Sequence, residues 1–373
     1  MTSKPTLDAA ERPAAAEPML VGAGRLDADI ALPPRTLLHA GPPYRSLDEI
    51  PAVVRNAAAA AAVAEGWAQD LAGGSACIAS GDIALAPAQD HGLVVPLAFV
   101  AGPGTGIITA ACPITNAVGR APINDGPPLG ATRFGAPNED AVARLIWLGG
   151  VAAPALDRAL KADPIAMLPI AADALAAGDE LHAAVGNGNA ILQSRLTPAL
   201  KHEDPAVAAY VAEAAQFFLN AWMASVACML SAAAGIDDAD LLVRAGANGV
   251  RVGFSISGAP EIWLEAPAGA PAGPPISAGV EHRRAAAAVG DSAVIEAAGF
   301  GALAAACAPD IVAAFRPYAP TIYARLVDLT VARHPVFSDL GLKVGVDAAR
   351  ISTDAVLPAH FAMLDATGTA GLI

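Results

Sequence analysis

The stretch Ala247-Asn248-Gly249-Val250-Arg251-Val252-Gly253-Phe254-Ser255-Ile256-Ser257-Gly258 decides how this chain is read. Asn248-Gly249 suits a tight turn, because both residues tolerate positive φ. Val250, Val252, Phe254 and Ile256 then alternate with Arg251, Gly253, Ser255 and Ser257, the period of a half-buried strand. A second β-like run, Glu261-Ile262-Trp263-Leu264-Glu265, leads into a Pro/Gly/Ala loop from Ala266 to Pro275. Gly290-Asp291-Ser292-Ala293 then opens an apolar helix that stops near Gly299-Phe300-Gly301. Asp291-Ser292 offers a helix N-cap whose free N–H groups can hold an anion, with Asp291 as a base or as the group that orients Asn248. A hairpin and a capped helix without chemistry account for the same pattern.

Working outward, the segment before this stretch is helical. Helices are expected over 138–160, 164–177, 189–200 and 205–234, the last capped by Asp204, started by Pro205 and ended by Gly235. Ala214 to Ala234 carries no charge, yet Gln216, Asn220, Ser225 and Ser231 interrupt it, so it reads as a buried core helix and not a membrane span. Further back, Thr36-Leu37-Leu38-His39 reads as a strand running into Gly41-Pro42-Pro43, with an Ala-rich helix from Ile50 to Gln69. The loop Gly102-Pro103-Gly104-Thr105-Gly106 is a weak phosphate cradle that fits neither the dinucleotide fingerprint nor the P-loop. The fold class that follows is α+β and multi-domain. A mobile tail is expected over 1–31, an α+β domain over 32–136, a helical domain over 137–236 and a second α+β domain over 237–373.

Composition narrows the function. Of 373 residues 55% are apolar and 16% charged, which excludes a disordered chain, and a net charge of −14 argues against nucleic acid. Cys77, Cys112, Cys228 and Cys307 are far apart, without Cys-x-x-Cys, and the seven His show no metal spacing. No metal or resident cofactor is expected. No signal peptide is visible, and the four cysteines read as buried free thiols of a reducing cytoplasm. A Ser-His-Asp relay from Asp291, Ser292 and His282 is disfavoured, because adjacent Asp and Ser rarely form one. What remains is a set of Asn, Gly, Ser, Asp and Arg turns suited to a small amide or carboxylate. Abundant apolar surface leads us to expect a homo-oligomer.

Several of these turns resemble, in order, one bacterial family. They are Thr36 to Pro43, Glu65-Gly66-Trp67-Ala68, Asn124-Asp125-Gly126, Arg133-Phe134-Gly135, Gly178-Asp179-Glu180-Leu181-His182, Gln216 to Asn220, Asn248-Gly249, Trp263 with Ala266-Pro267, and Gly290 to Ala293. The chain is similar to the YlbE-like family, tied to the oxamate carbamoyltransferase of allantoin breakdown. The resemblance implies phosphorolysis of oxalurate to oxamate and carbamoyl phosphate, with phosphate as co-substrate. It also implies small anionic substrates and partner subunits, an acyl-CoA-synthetase-like chain among them.

Turns and resemblance together nominate Asp291, His182 and Glu296 as catalytic. They nominate His39, Gly41, Asn124, Asp125, Arg133, Asn248, Gly249 and Ser292 as substrate-binding. The chain departs from the family pattern at several places. Ala184, Val185 and Ala247 replace Arg or Asn, Ile295 and Ala297 replace polar neighbours of Glu296, and Asp125 stands for Glu. Pro358-Ala359-His360 replaces an Asn-bearing turn, and the chain stops at Ile373 before the family's Gly-Ala-Gly turn. Ala cannot replace the bidentate hold of Arg on a carboxylate. The leading expectation is therefore a subunit of a carbamoyl- or acyl-transferring enzyme acting on a small ureido or amide carboxylate. A non-catalytic binding or scaffold subunit and a stand-alone amide hydrolase are the alternatives.

Overall fold

A computed structural model describes residues 2–123, 132–136, 138–273, 283–320, 328–352 and 357–366. The chain opens with α1 (Lys4–Ala15), β1 (Met19–Arg25), the short α2 (Leu26–Asp29) and β2 (Thr36–His39). Then come α3 (Ala52–Ala64), α4 (Leu71–Ser80), β3 (Ala84–Pro87), β4 (Gly106–Ala111) and β5 (Val118–Pro122). The middle holds α5 (Glu139–Trp147), α6 (Ala153–Ala162), β6 (Ile165–Ala166), α7 (Met167–Ala176), α8 (Gly186–Glu203), α9 (Pro205–Glu213) and α10 (Phe217–Ser231). The last part holds β7 (Leu242–Asn248), β8 (Arg251–Ile256), β9 (Ala259–Pro267), β10 (Val289–Gly290), α11 (Val294–Ala298), α12 (Pro309–Phe315), β11 (Thr330–Arg333) and β12 (Lys343–Val346). The protein is α+β, as the sequence leads one to expect.

Two antiparallel sheets organise it, ordered β5-β4-β1-β6 and β10-β7-β8-β9. Helix α10 packs on β5 and β4 of the first sheet and reaches β7 of the second, while α6 packs on β1. One apolar core runs through all of them, from Ala16 through Trp222 to Val346. Burying α10 requires its polar groups to be satisfied. Asn220 Nδ2 donates to Pro122 O at 2.8 Å, Ser225 Oγ to Ala221 O at 2.8 Å and Ser231 Oγ to Val118 O at 3.2 Å. An aromatic ladder, Phe218–Trp222–Phe300–Phe337, ties α10 to the turn after α11.

Two expectations fail here. The mobile tail over residues 1–31 does not exist as such. β1 lies inside the first sheet, and Ala9 and Ala10 of α1 are fully buried beside Ala233, Leu241 and Val243. Asp240 N–H donates to Thr6 Oγ1 at 2.9 Å. The Ala- and Pro-rich composition reads like a tail, but small alanines such as Ala9 and Ala10 pack closely in a core.

The single helix over 205–234 is broken as well. The Asp204 cap is present, its Oδ1 taking the N–H groups of Ala206 and Val207. But α9 and α10 meet at an 86° bend. Side chains of α8 satisfy the broken ends. Asn189 accepts Phe218 N–H at 3.0 Å and donates to Ala214 O at 3.2 Å, and Gln193 donates to Val211 O at 2.6 Å. Among the described residues no single helix is long and apolar enough to cross a membrane.

The turn at Asn248-Gly249 and the strand after it are as read, but the faces of β8 are notable. Arg251, Gly253 and Ser255 are buried, while Val252, Phe254 and Ile256 are half-buried. Arg251 is held inside by Glu49 at 2.8 and 3.1 Å and by Pro43 O at 2.9 Å. A loop from Gly41 to Glu49 thus covers the polar face.

Candidate active site

Two buried carboxylates flank the α11 turn, five residues apart. The first is Asp291, fully buried. Its Oδ1 accepts Gly41 N–H at 2.8 Å and Gln89 Nε2 at 2.7 Å, and its Oδ2 accepts Val95 N–H at 3.0 Å. Asp291 N–H returns a bond to Val95 O at 2.8 Å. Glycine makes this knot possible. A Cβ on Gly246 would strike Asp291 Oδ1, and one on Gly41, with φ 71°, would strike the backbone of Ala247 and Asn248. Burial pushes the Asp291 carboxyl up to about 7, against the opposing pull of its three N–H donors.

Asn248 and Gly249 adjoin this knot through backbone. Asn248 Nδ2 donates to Pro42 O at 2.8 Å, and its Oδ1 accepts Val250 and Arg251 N–H at 2.9 and 2.7 Å. Gly249 N–H donates to Ala288 O at 2.9 Å. The Asn248 side chain therefore shapes the turn, and Asp291 does not orient it.

The N-cap reading of Ser292 is also overturned. α11 has five residues, its cap position is Ala293, and no side chain bonds there. Ser292 is buried beside it, and its carbonyl accepts Ile295 N–H at 3.0 Å. His39, fully buried, bonds Ala40 O through Nδ1 at 2.8 Å and lies 4.5 Å from the Tyr44 ring. Burial lowers its pKa to about 4, so the ring is neutral. Arg133 is buried with its guanidinium 4.8 Å over the Phe134 ring. Asn124 and Asp125 lie outside the described residues, as does His282.

The second carboxylate is Glu296, also fully buried. Its Oε1 takes three bonds, from His182 Nδ1 at 2.7 Å, Ala302 N–H at 3.2 Å and His360 N–H at 3.2 Å. Its Oε2 is buried without a partner among the described residues. Glu180 Oε1 accepts Ala184 N–H at 2.6 Å, its Oε2 lies 3.4 Å from His360 Nδ1, and its carbonyl accepts Gly301 N–H at 2.8 Å. The His182 and His360 rings are 6.1 Å apart, and His360 stacks on Phe315 at 5.3 Å. Two carboxylates and two imidazoles thus share one buried centre.

Local backbone builds this centre. Leu181, between Glu180 and His182, has φ 72°, a left-handed conformation costly for a branched side chain. It turns its two neighbours into the same space. A Cβ on Gly301 would collide with Glu296 Oε1, so only glycine fits there. Burial opposes a charged His182, but Glu296 and then Glu180 outweigh it and raise its pKa. Burial likewise opposes ionised Glu180, but His360, His182 and the Ala184 N–H outweigh it and lower its pKa. The centre therefore holds its opposite charges together. It backs onto a pocket of about 150 Å³ whose lining includes Ala302, Phe315, Pro358 and His360. Two of these residues, Ala302 and His360, are the backbone donors to Glu296 Oε1, so the carboxylate stands directly behind the pocket wall.

The structure thus joins His182 with Glu296, and separately Asp291 with Gly41. Sequence reasoning did not nominate Glu180, His360 or Gln89. Glu180 lies inside the quoted Gly178 to His182 turn and was within reach. Gln89 gave no signal. The Gly102 to Gly106 loop holds the chain's own Glu65, whose Oε1 accepts Gly104 N–H at 2.7 Å.

A family model for oxamate carbamoyltransferase subunit AllG matches residues 83–292. The chain belongs to the AllG family. The matched AllG span includes Glu180, His182 and Asp291; Glu296 and His360 lie beyond it. Escherichia coli K12 oxamate carbamoyltransferase subunit AllG is 32% identical over 291 residues, 74% of this chain and 67% of that protein. The uncharacterised E. coli K12 protein YahG is 28% identical over 369 residues, 94% of this chain and 77% of its own. A crystal structure of a conserved Enterococcus faecalis V583 protein of unknown function superposes with a TM-score of 0.90 at 25% identity, covering 99% of this chain and 92% of that one.

Proposed function

We propose that this chain is a working subunit of a carbamoyl- or acyl-transferring assembly acting on a small ureido or amide carboxylate, with Glu296 and His182 as its proton-handling pair. The observation that carries this reading is the asymmetry of Glu296. One oxygen takes three donors and is fixed; the other is buried with no partner among the described residues, and two of the residues that hold the carboxylate, Ala302 and His360, line the pocket. An unpaired buried carboxylate oxygen is costly. Its retention suits a group that meets a substrate N–H or moves a proton.

In phosphorolysis of a ureido carboxylate, a phosphate oxygen attacks the carbamoyl carbon and the C–N bond breaks. The leaving amide nitrogen takes up the proton that phosphate gives up. His182, held at Nδ1 by Glu296, is placed to relay that proton, since the charged and neutral forms of its imidazole differ by one proton. Phosphate is then a co-substrate, and no resident cofactor is required.

The competing reading is a binding subunit without chemistry. Ala184, Val185 and Ala247, standing where the family resemblance expects Arg or Asn, favour it. The strained Leu181 and the Gly301 fit favour a working centre, since structure kept only for packing has no need of either. The test is to purify the chain with the subunits that accompany it, an acyl-CoA-synthetase-like chain being the one to look for. Oxalurate and related ureido or amide carboxylates are then supplied with phosphate, and ³¹P NMR follows the mixture. A new carbamoyl or acyl phosphate signal that requires this chain supports the proposal. Turnover that persists when this chain alone carries Glu296→Gln supports the scaffold.

A further inference from the structure

A second cavity lies on the far side of α11 from Glu296. It measures about 210 Å³ and is bounded by Gly92 to Val94, the start of β5, Ala227 and Ser231 of α10, Val243 and Arg244 of β7, and Val294 of α11. Val294 and Glu296 are two residues apart on one helix, so they point to different sides of it. The cavity is therefore not the pocket behind which Glu296 stands.

Three side chains give it polarity. Gln89 is nine-tenths buried and lines the cavity. Both of its amide hydrogens are spent inside the protein, on Ala245 O at 3.0 Å and Asp291 Oδ1 at 2.7 Å. Those two acceptors fix which end of the amide is nitrogen. The Gln89 oxygen is left over, with no donor among the described residues. Beside it, Asp90 Oδ1 accepts Arg244 Nη1 at 2.6 Å and Trp263 Nε1 at 3.1 Å. This fixes Arg244 and leaves the second Asp90 oxygen and the remaining Arg244 N–H groups open among the described residues. The wall therefore presents two acceptors, Gln89 and Asp90, next to one cationic donor, Arg244. The remaining lining named above is mostly apolar.

We propose that this cavity is a second binding site, for a small neutral primary amide or urea. A planar group of that kind carries N–H donors for the Gln89 and Asp90 oxygens and a carbonyl oxygen for Arg244. A carboxylate satisfies Arg244 but sets its own oxygens against those of Gln89 and Asp90, a like-charge and acceptor–acceptor conflict. Gln89 is also bonded to Asp291 directly, which holds its amide in place. Asp291 opens the turn into α11, and Glu296 lies on that helix. The site is independent of the reaction proposed above, which uses the opposite side of α11.

The experiment is saturation-transfer NMR on the full chain, with acetamide and urea as probes and acetate as control. Acetamide and urea are expected to receive saturation and acetate to receive much less. Arg244→Met is expected to weaken acetamide binding about tenfold or more. Ala227→Leu, which fills the cavity from α10, is expected to abolish it. Glu296→Gln is expected to leave it unchanged, which separates this site from the proposed reaction centre. Circular dichroism confirms that each variant folds, and either cavity variant suffices. Equal binding of acetate, or acetamide binding that survives in a folded cavity variant, overturns the proposal. So does the absence of any saturation transfer to the two amide probes.

Discussion

Asp291 and Glu296 are five residues apart around one short helix, both fully buried, and their hydrogen bonding differs in kind. Asp291 spends both oxygens on donors from three distant segments, Gly41, Gln89 and Val95. Glu296 loads three donors onto one oxygen and leaves the other with no partner among the described residues. The first pattern is that of a clasp; the second is the one on which the proposed proton-handling role rests. Burial and charge alone do not separate the two; the fate of each carboxylate oxygen does.

The comparison can be broken most forcefully at the clasp. Asp291→Ala strands the N–H groups of Gly41 and Val95 and the Gln89 amide, at a cost of roughly 3 kcal/mol or more. Chemical denaturation should show that loss, and an unchanged midpoint would make Asp291 a free functional group after all. Gly301→Ala acts on the other carboxylate. Its Cβ pushes on Glu296 Oε1 and its φ of 58° disfavours alanine, so a loss of roughly 1–3 kcal/mol is expected, together with a fall in turnover. Retained activity in that variant would show that the position of Glu296 does not matter.

pH sharpens the comparison more gently. The His182 pKa is raised in the folded state, so its stabilising share is fully present below about 6.5 and is lost as pH rises through the higher folded value. Asp291 is raised too, so its share is lost as pH climbs from the ordinary aspartate value of 3.8 to about 7. Glu180 is depressed and works the other way. Its share is present above the ordinary glutamate value of 4.5 and is lost as pH falls below that. Melting curves should therefore show stability declining as pH rises through neutrality, and Glu296→Gln should reduce the part of that decline that belongs to His182. The smallest effect is expected at the bend between α9 and α10, where Asn189→Ala should cost about 1–2 kcal/mol by freeing Phe218 N–H.

Local rules made much of this legible. Asn248-Gly249 turned as its residue types require and Asp204 capped α9, while His182 was nominated only through the family resemblance of the Gly178 to His182 turn. What stayed hidden depends on partners far along the chain. The bend after Glu213 is held by Asn189 and Gln193, which no local pattern around residue 214 announces. The central place of β1 depends on pairing with β4, more than eighty residues on. Gln89 and His360 gain meaning only through Asp291, Glu180 and Glu296. The Asp291-Ser292 pair misled because a cap-like dipeptide was read without knowing that Gly41 and Val95 claim the carboxylate.

The central claim is that Glu296 does chemistry while Asp291 holds the fold, and one variant tests it most directly. Glu296→Gln keeps an oxygen for His182, Ala302 and His360 and places an amide nitrogen at the empty position. In the purified assembly, turnover and melting temperature are to be measured on the same preparation. The account predicts turnover reduced about a hundredfold or more, with stability changed by no more than about 1 kcal/mol. Undiminished turnover, or a loss of activity that merely follows a loss of stability, would contradict it.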